Sequence, residues 1–157
     1  MNNITVNKVQ YNKAFTFLEF AVVLVVVSLL VAVTIPAMIK LGNSARSTTT
    51  EDQLVDIQTD IDDYFDDNGF YPDSLDEIYN PIPNDPWGNP IQFLNHATSH
   101  GKGKWRKDKN LVPINSDYDL YSKGPDGKST SPLTSALSQD DIVRGRNGAY
   151  IGLALYY

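Results

Sequence analysis

The chain has 157 residues, no cysteine, and nineteen Asp/Glu against thirteen Lys/Arg, a formal charge of −6. Such a length suits one small domain beside a membrane segment, while the missing cysteines exclude a disulfide framework or a thiolate metal site. The acidic balance excludes electrostatic binding to nucleic acid phosphates, and no Gly-x-x-x-x-Gly-Lys-Ser/Thr phosphate loop is present to draw energy from a nucleotide.

Residues 1–14 are polar and carry Lys8 and Lys13, with no acid among the first eighteen residues. Residues 20–39 read FAVVLVVVSLLVAVTIPAMI without a charge, close to the ~20 apolar residues that span a bilayer core of ~30 Å. A single crossing satisfies its backbone only as a helix, so the run is expected to be helical despite its β-branched valines. It is longer than the apolar core of a secretory signal, which runs to about 7–15 residues. The two lysines place the N-terminus in the cytoplasm and the chain beyond residue 39 outside it. Glu19 opens the apolar run, where an acid costs up to about 2.5–3.5 kcal/mol at mid-membrane and less near the interface. Two readings stand: a carboxylate solvated among lipid headgroups, or a partner for the amine of a neighbouring chain whose N-terminus is Phe15.

Beyond Pro36 the stretch around Gly42 and Thr48-Thr49-Thr50 weakens a helix without stopping it. Leu54, Ile57, Ile61, Tyr64 and Phe65 then recur at helical spacing on one face, with Asp56, Asp60, Asp62, Asp63, Asp66 and Asp67 elsewhere, an amphipathic pattern closed by Asn68-Gly69. One helix from Phe15 to about Asp67 is expected, near 80 Å long at ~1.5 Å per residue.

Residues 70–95 are rich in turn residues, with one helical turn expected at residues 74–79 and a strand at residues 90–94. Trp87 is expected to pack its ring under this loop. His96 and His100 stand four apart, a weak metal-pair signal. The lysines and Arg106 of the following segment, residues 101–109, read as a wetted basic loop. Residues 117–122 alternate as a half-buried strand and run into the turn Lys123-Gly124-Pro125-Asp126-Gly127; Asp140-Asp141 follow later. Read alone, these acids are either solvated turns or oxygen donors of the kind Ca²⁺ prefers. No nucleophile elbow and no Cys–His set is present, so a membrane-anchored enzyme is not the expected reading.

Two groups of residues carry a resemblance. Lys13-Ala14-Phe15-Thr16-Phe17-Leu18-Glu19 before the apolar run, with Pro36 inside it, resembles the processing site and kinked helix of type IV pilin-like proteins. Ala14 stands where the family usually has Gly. The order Asp85-Pro86-Trp87-Gly88-Asn89-Pro90, then residues 117–127, then Asp140-Asp141-Ile142, is similar to the head of the major pseudopilins of type II secretion systems. The resemblance implies an α+β, type IV pilin-like fold, in which a long N-terminal helix, half transmembrane and half amphipathic, packs on a small antiparallel sheet with a calcium-binding C-terminal loop. It implies a leader at residues 1–14, cut after Ala14 by a prepilin peptidase that methylates Phe15. An assembly segment at residues 15–39 and a periplasmic head at residues 40–157 would follow. Loss of the leader takes Lys8 and Lys13 with it, leaving eleven basic against nineteen acidic residues and a charge of −8.

The resemblance further implies calcium held by Asp126, Asp140 and Asp141 with main-chain oxygens near Lys123 and Lys128, although residues 128–139 are longer than usual there. The partners implied are copies of the same chain, other pseudopilins, the inner membrane, and an assembly platform with its cytoplasmic ATPase. The implied function is that of a non-enzymatic fibre subunit driving export across the outer membrane. The alternative is a subunit of a type IV pilus or uptake fibre, against which the absence of cysteine counts.

Overall fold

The computed structural model describes residues 16–157 and divides the chain into two compact units, one ending at Lys40 and the other covering Leu41–Tyr157. A continuous helix, α1 (Phe17–Asn68), contributes to both.

In the first unit the apolar residues are unpacked: Val22, Leu24, Leu29, Leu30 and Val33 are half to three-quarters exposed. The helix here is long and apolar enough to cross a membrane. Its polar side chains are satisfied within it, since Ser28 Oγ donates to the Leu24 carbonyl and Thr34 Oγ1 to that of Leu30, each at 2.7 Å, which removes unpaired hydroxyls from an apolar surrounding. Pro36 lies inside the helix as expected and has no N–H to offer the preceding turn.

In the second unit the predicted stripe is buried: Leu54 and Ile61 are wholly inaccessible and Ile57 nearly so, joined by Thr50. Each buried aliphatic side chain contributes about 1.5–3 kcal/mol. These three meet Leu75, Ile91, Tyr118, Leu120 and Ile142 in the main core. Phe65 stays partly exposed and packs on Tyr71, with ring centroids 4.5 Å apart. The helix ends on Gly69, whose φ of +79° is the left-handed cap conformation that favours glycine.

The sheet is an antiparallel meander in the order β1 (Gln92–Asn95), β2 (Tyr118–Ser122), β3 (Ile142–Gly145) and β4 (Tyr150–Leu153). Alternation along the strands sorts its side chains. Phe93, Leu120, Ile142 and Leu153 join the core under α1, whereas Tyr121 and Val143 join a second cluster with Ile114, Leu133, Ala154 and Tyr157. The expected helical turn is present as a 3-10 turn, Leu75–Glu77. Residues 145–157 form the β3–β4 hairpin connection, the edge strand and a final 3-10 turn, Ala154–Tyr156. The connection needs left-handed backbone at Arg146, Asn147 and Gly148, and a Cβ at Gly148 would meet the Gln58 amide at 2.5 Å.

Candidate functional site

Two regions carry the expected functional residues. The first is the start of α1. Ala14 and Phe15 lie outside the described residues. Thr16 caps the helix: Glu19 N donates to Thr16 Oγ1 at 3.2 Å, while the backbone N–H and the hydroxyl of Thr16 both donate to Glu19 Oε2 at 2.9 Å. This is a reciprocal capping box, whose sequence signal is Thr-x-x-Glu before an apolar run. It gives Glu19 a local role that neither reading of the residue includes, fixing the first turn at an exposed, apolar helix end whose neighbours Phe17 and Leu18 are largely uncovered.

The second region is the C-terminal loop system. Its frame is the Asp85-Pro86-Trp87-Gly88-Asn89 segment. Buried Asp85 accepts from the backbone N–H groups of Trp87 at 3.0 Å and Asn89 at 2.8 Å, and from the hydroxyl of Ser122 at 2.5 Å. Asn89 Nδ2 donates to the Gly124 carbonyl at 2.9 Å. One carboxylate thus ties the tight turn of residues 85–90 to the end of β2 and the turn beyond it. Trp87 is partly buried, its indole N–H directed at Asn43 Oδ1 at 3.4 Å. Gly124 is required there: its φ is +62°, and a Cβ would fall 2.1 Å from the carbonyl oxygen of Asp140.

That approach brings Asp126 and Asp140 together. Asp126 N donates to Asp140 Oδ2 at 3.3 Å, and Asp126 Oδ1 accepts from Lys128 N at 2.7 Å. Burial pushes the Asp140 carboxyl above the ordinary aspartate range, and the charge of Asp126 adds to the effect. Lys123 is half-buried and Lys128 exposed. Asp141 is turned away from this pair into the interior, where its Oδ2 is bonded to Arg106 Nη2 and accepts from Ser129 Oγ at 2.6 Å. Among the described residues no three Asp, Glu or His side chains converge as a metal cage requires. Of the Asp141 carboxylate, Oδ2 is held by the Arg106 guanidinium, while Oδ1 is buried with no hydrogen-bond partner.

The basic loop departs from expectation for the same reason. Arg106 is 2% exposed, not a wetted surface charge, while Lys102, Lys104 and Lys109 around it are exposed. His96 and His100 do not pair: His100 is exposed, and buried His96 stacks on Trp105 at 4.3 Å between centroids with its Nε2 3.0 Å from Asp119 Oδ2.

Compared with known proteins, the chain is 29% identical over 135 residues to the type II secretion system core protein G of Pseudomonas aeruginosa, covering 73% of this chain and 84% of that protein. The chain is similar to core protein G over most of its length. The protein of the same name from Klebsiella pneumoniae is 28% identical over 137 residues, covering 85% and 94% of the two chains, and that of Escherichia coli K12 28% over 137 residues, covering 74% and 83%. No family model and no solved structure matches. These core protein G homologues are named for a secretion system and not for an enzyme, in keeping with the expected resemblance to the major pseudopilins.

Proposed function

We propose that this chain is the structural subunit of a type II secretion pseudopilus, anchored by one membrane helix with its head in the periplasm and polymerised into a fibre that drives protein export across the outer membrane. The observation that carries the reading is the similarity to core protein G over most of the chain, joined to an N-terminal helix whose apolar side chains are largely exposed among the described residues. In lipid that surface is at ease, and in a fibre it packs against copies of itself through contacts that repeat without closing.

In this reading a prepilin peptidase cuts after Ala14 and methylates Phe15. The freed amine of one subunit then pairs with Glu19 of the next, while Thr16 holds the carboxylate at the helix end. Lys8 and Lys13 keep the leader on the cytoplasmic side before the cut. Extraction from the membrane draws on a platform protein and a cytoplasmic ATPase, and other pseudopilins share the fibre.

The test is Glu19→Ala in cells that express the processing and assembly machinery. Membrane insertion is expected to be retained, with fibres and secretion lost; normal fibres from the variant would overturn the pairing.

A further inference from the structure

Arg106 makes contacts that no solvated loop residue makes. Its backbone N–H donates to Asp119 Oδ2 at 2.7 Å, and its carbonyl accepts from Ile114 N at 3.0 Å. The guanidinium lies over the Tyr121 ring, 3.9 Å from the centroid. Nη1 donates to Ser129 Oγ at 2.7 Å and to the Thr130 carbonyl, and Nη2 meets Asp141 Oδ2. The partner acid is completely buried, and its main chain is tied on both sides, Asp141 N to the Ser138 carbonyl at 3.3 Å and Ala154 N to the Asp141 carbonyl at 2.8 Å. The two segments are also laced together along their backbones, by Lys107 N to the Ser131 carbonyl at 3.1 Å and Leu133 N to the Lys107 carbonyl at 2.8 Å.

One guanidinium therefore gathers residues 129–130, Asp141 and strand β2. The long segment 128–139 contains no helix or strand; beside these backbone ties and the burial of Leu133 in the second core cluster, the Arg106 side chain holds it at residues 129–130. A buried carboxylate demands a cation, and a planar fork meets a carboxylate, a hydroxyl and a carbonyl at once where a lone ammonium would not. Asp141 Oδ1 and Arg106 Nε are buried without a hydrogen-bond partner, but a divalent ion on that carboxylate would still face the guanidinium charge across a poorly screened gap.

We infer that Arg106 is the resident cation of the C-terminal loop, a guanidinium supplied by the basic loop that fastens Asp141 and residues 128–141 without a metal ion. The exposed lysines and the buried arginine of residues 102–109 thus have separate roles, and the head holds its folded loop at any calcium concentration. This inference stands apart from the fibre proposal, since it concerns how the head is closed and not what the helix does.

The full chain in detergent, with calcium in excess and with calcium removed by chelator, tests it. The melting temperature is expected to be the same in both, and Arg106→Met is expected to lower it and to speed amide hydrogen exchange at least tenfold in residues 128–141. A wild-type melting temperature that rises with calcium by several degrees overturns the inference, as does unchanged exchange in those residues for Arg106→Met. Should that variant fail to fold, the wild-type comparison alone decides: calcium-independent melting upholds the arginine brace and calcium-dependent melting rejects it.

Discussion

Two arginines in the head use the same chemistry in different surroundings. Arg144 and Arg106 each lie 3.9 Å above a tyrosine of β2, Tyr118 and Tyr121 respectively, and each meets an aspartate. Arg144 stands on β3 and grips Asp117 with both arms, Nη1 to Oδ1 at 2.9 Å and Nη2 to Oδ2 at 2.8 Å, while its Nε donates to Gln58 of α1 at 2.8 Å. Helix and sheet are already joined there by the Leu54, Ile57 and Ile61 stripe, and Asp117 keeps 15% of its side chain open to water. Arg106 works with a fully buried acid among segments that lack regular structure. The difference teaches that an ion pair's weight depends on what else orders its surroundings: the first closes a layer that the main apolar core has built, and the second adds to a smaller cluster around Leu133 and Val143.

The largest expected effect comes from that contrast. Asp141→Ala strands the Arg106 charge in the interior, and removing one partner of a buried pair costs about 3–5 kcal/mol. The urea midpoint of the head transition should fall accordingly, with faster exchange concentrated in residues 104–108 and 128–141. A loss spread evenly over α1 and the sheet would break the comparison.

Arg144→Met is expected to cost less, about 1.5–3 kcal/mol, the range for hydrogen bonds to a charged group. Partly exposed Asp117 can take up water when its partner goes. The apolar core under α1 stays intact, so the loosening should centre on residues 115–119 and the β3–β4 connection. A larger loss than that of Asp141→Ala, read in the same urea titration, would reverse the ranking.

The helical stripe, the cap at Asn68-Gly69 and strands β1 and β2 were legible because each is a local pattern, period 3.6 or period 2 bounded by turn residues. Strand β3 was not. Ile142-Val143-Arg144 is too short for a period to show, and its identity as a strand comes from pairing with β2 and β4. The tail was illegible for the same reason. In the candidate region the turn at Gly124 and the nearness of Asp126 to Asp140 could be read from the sequence, whereas the fate of Asp141 could not. That residue is decided by a cation 35 positions away in sequence, in a loop whose lysines make it look uniformly solvated. Composition reports the average of residues 102–109 and conceals the one side chain there that is fully buried.

The smallest expected effect is a pH dependence of the Arg144 region. Burial pushes the Asp117 carboxyl up, but the hydrogen bonds from Arg144 and the backbone N–H of Tyr118, with the Arg144 charge, more than offset this and hold it below the ordinary range. Asp62 is the other acid facing this guanidinium, and burial pushes its carboxyl up. A carboxyl held lower in the folded state than the ~3.9 of an unfolded chain contributes stability that is fully present well above that value. As pH falls through about 4 and towards the folded value, the unfolded chain binds the proton first and the contribution is lost. Asp117→Asn removes this acid-sensitive share. Its urea midpoint should therefore change less than that of the wild type between about pH 7 and about pH 3, the two curves drawing together at the acid end. Parallel curves over that range would mean that the Asp117 pair adds nothing that titrates, and that Arg144 holds the sheet through Gln58 and the Tyr118 ring alone.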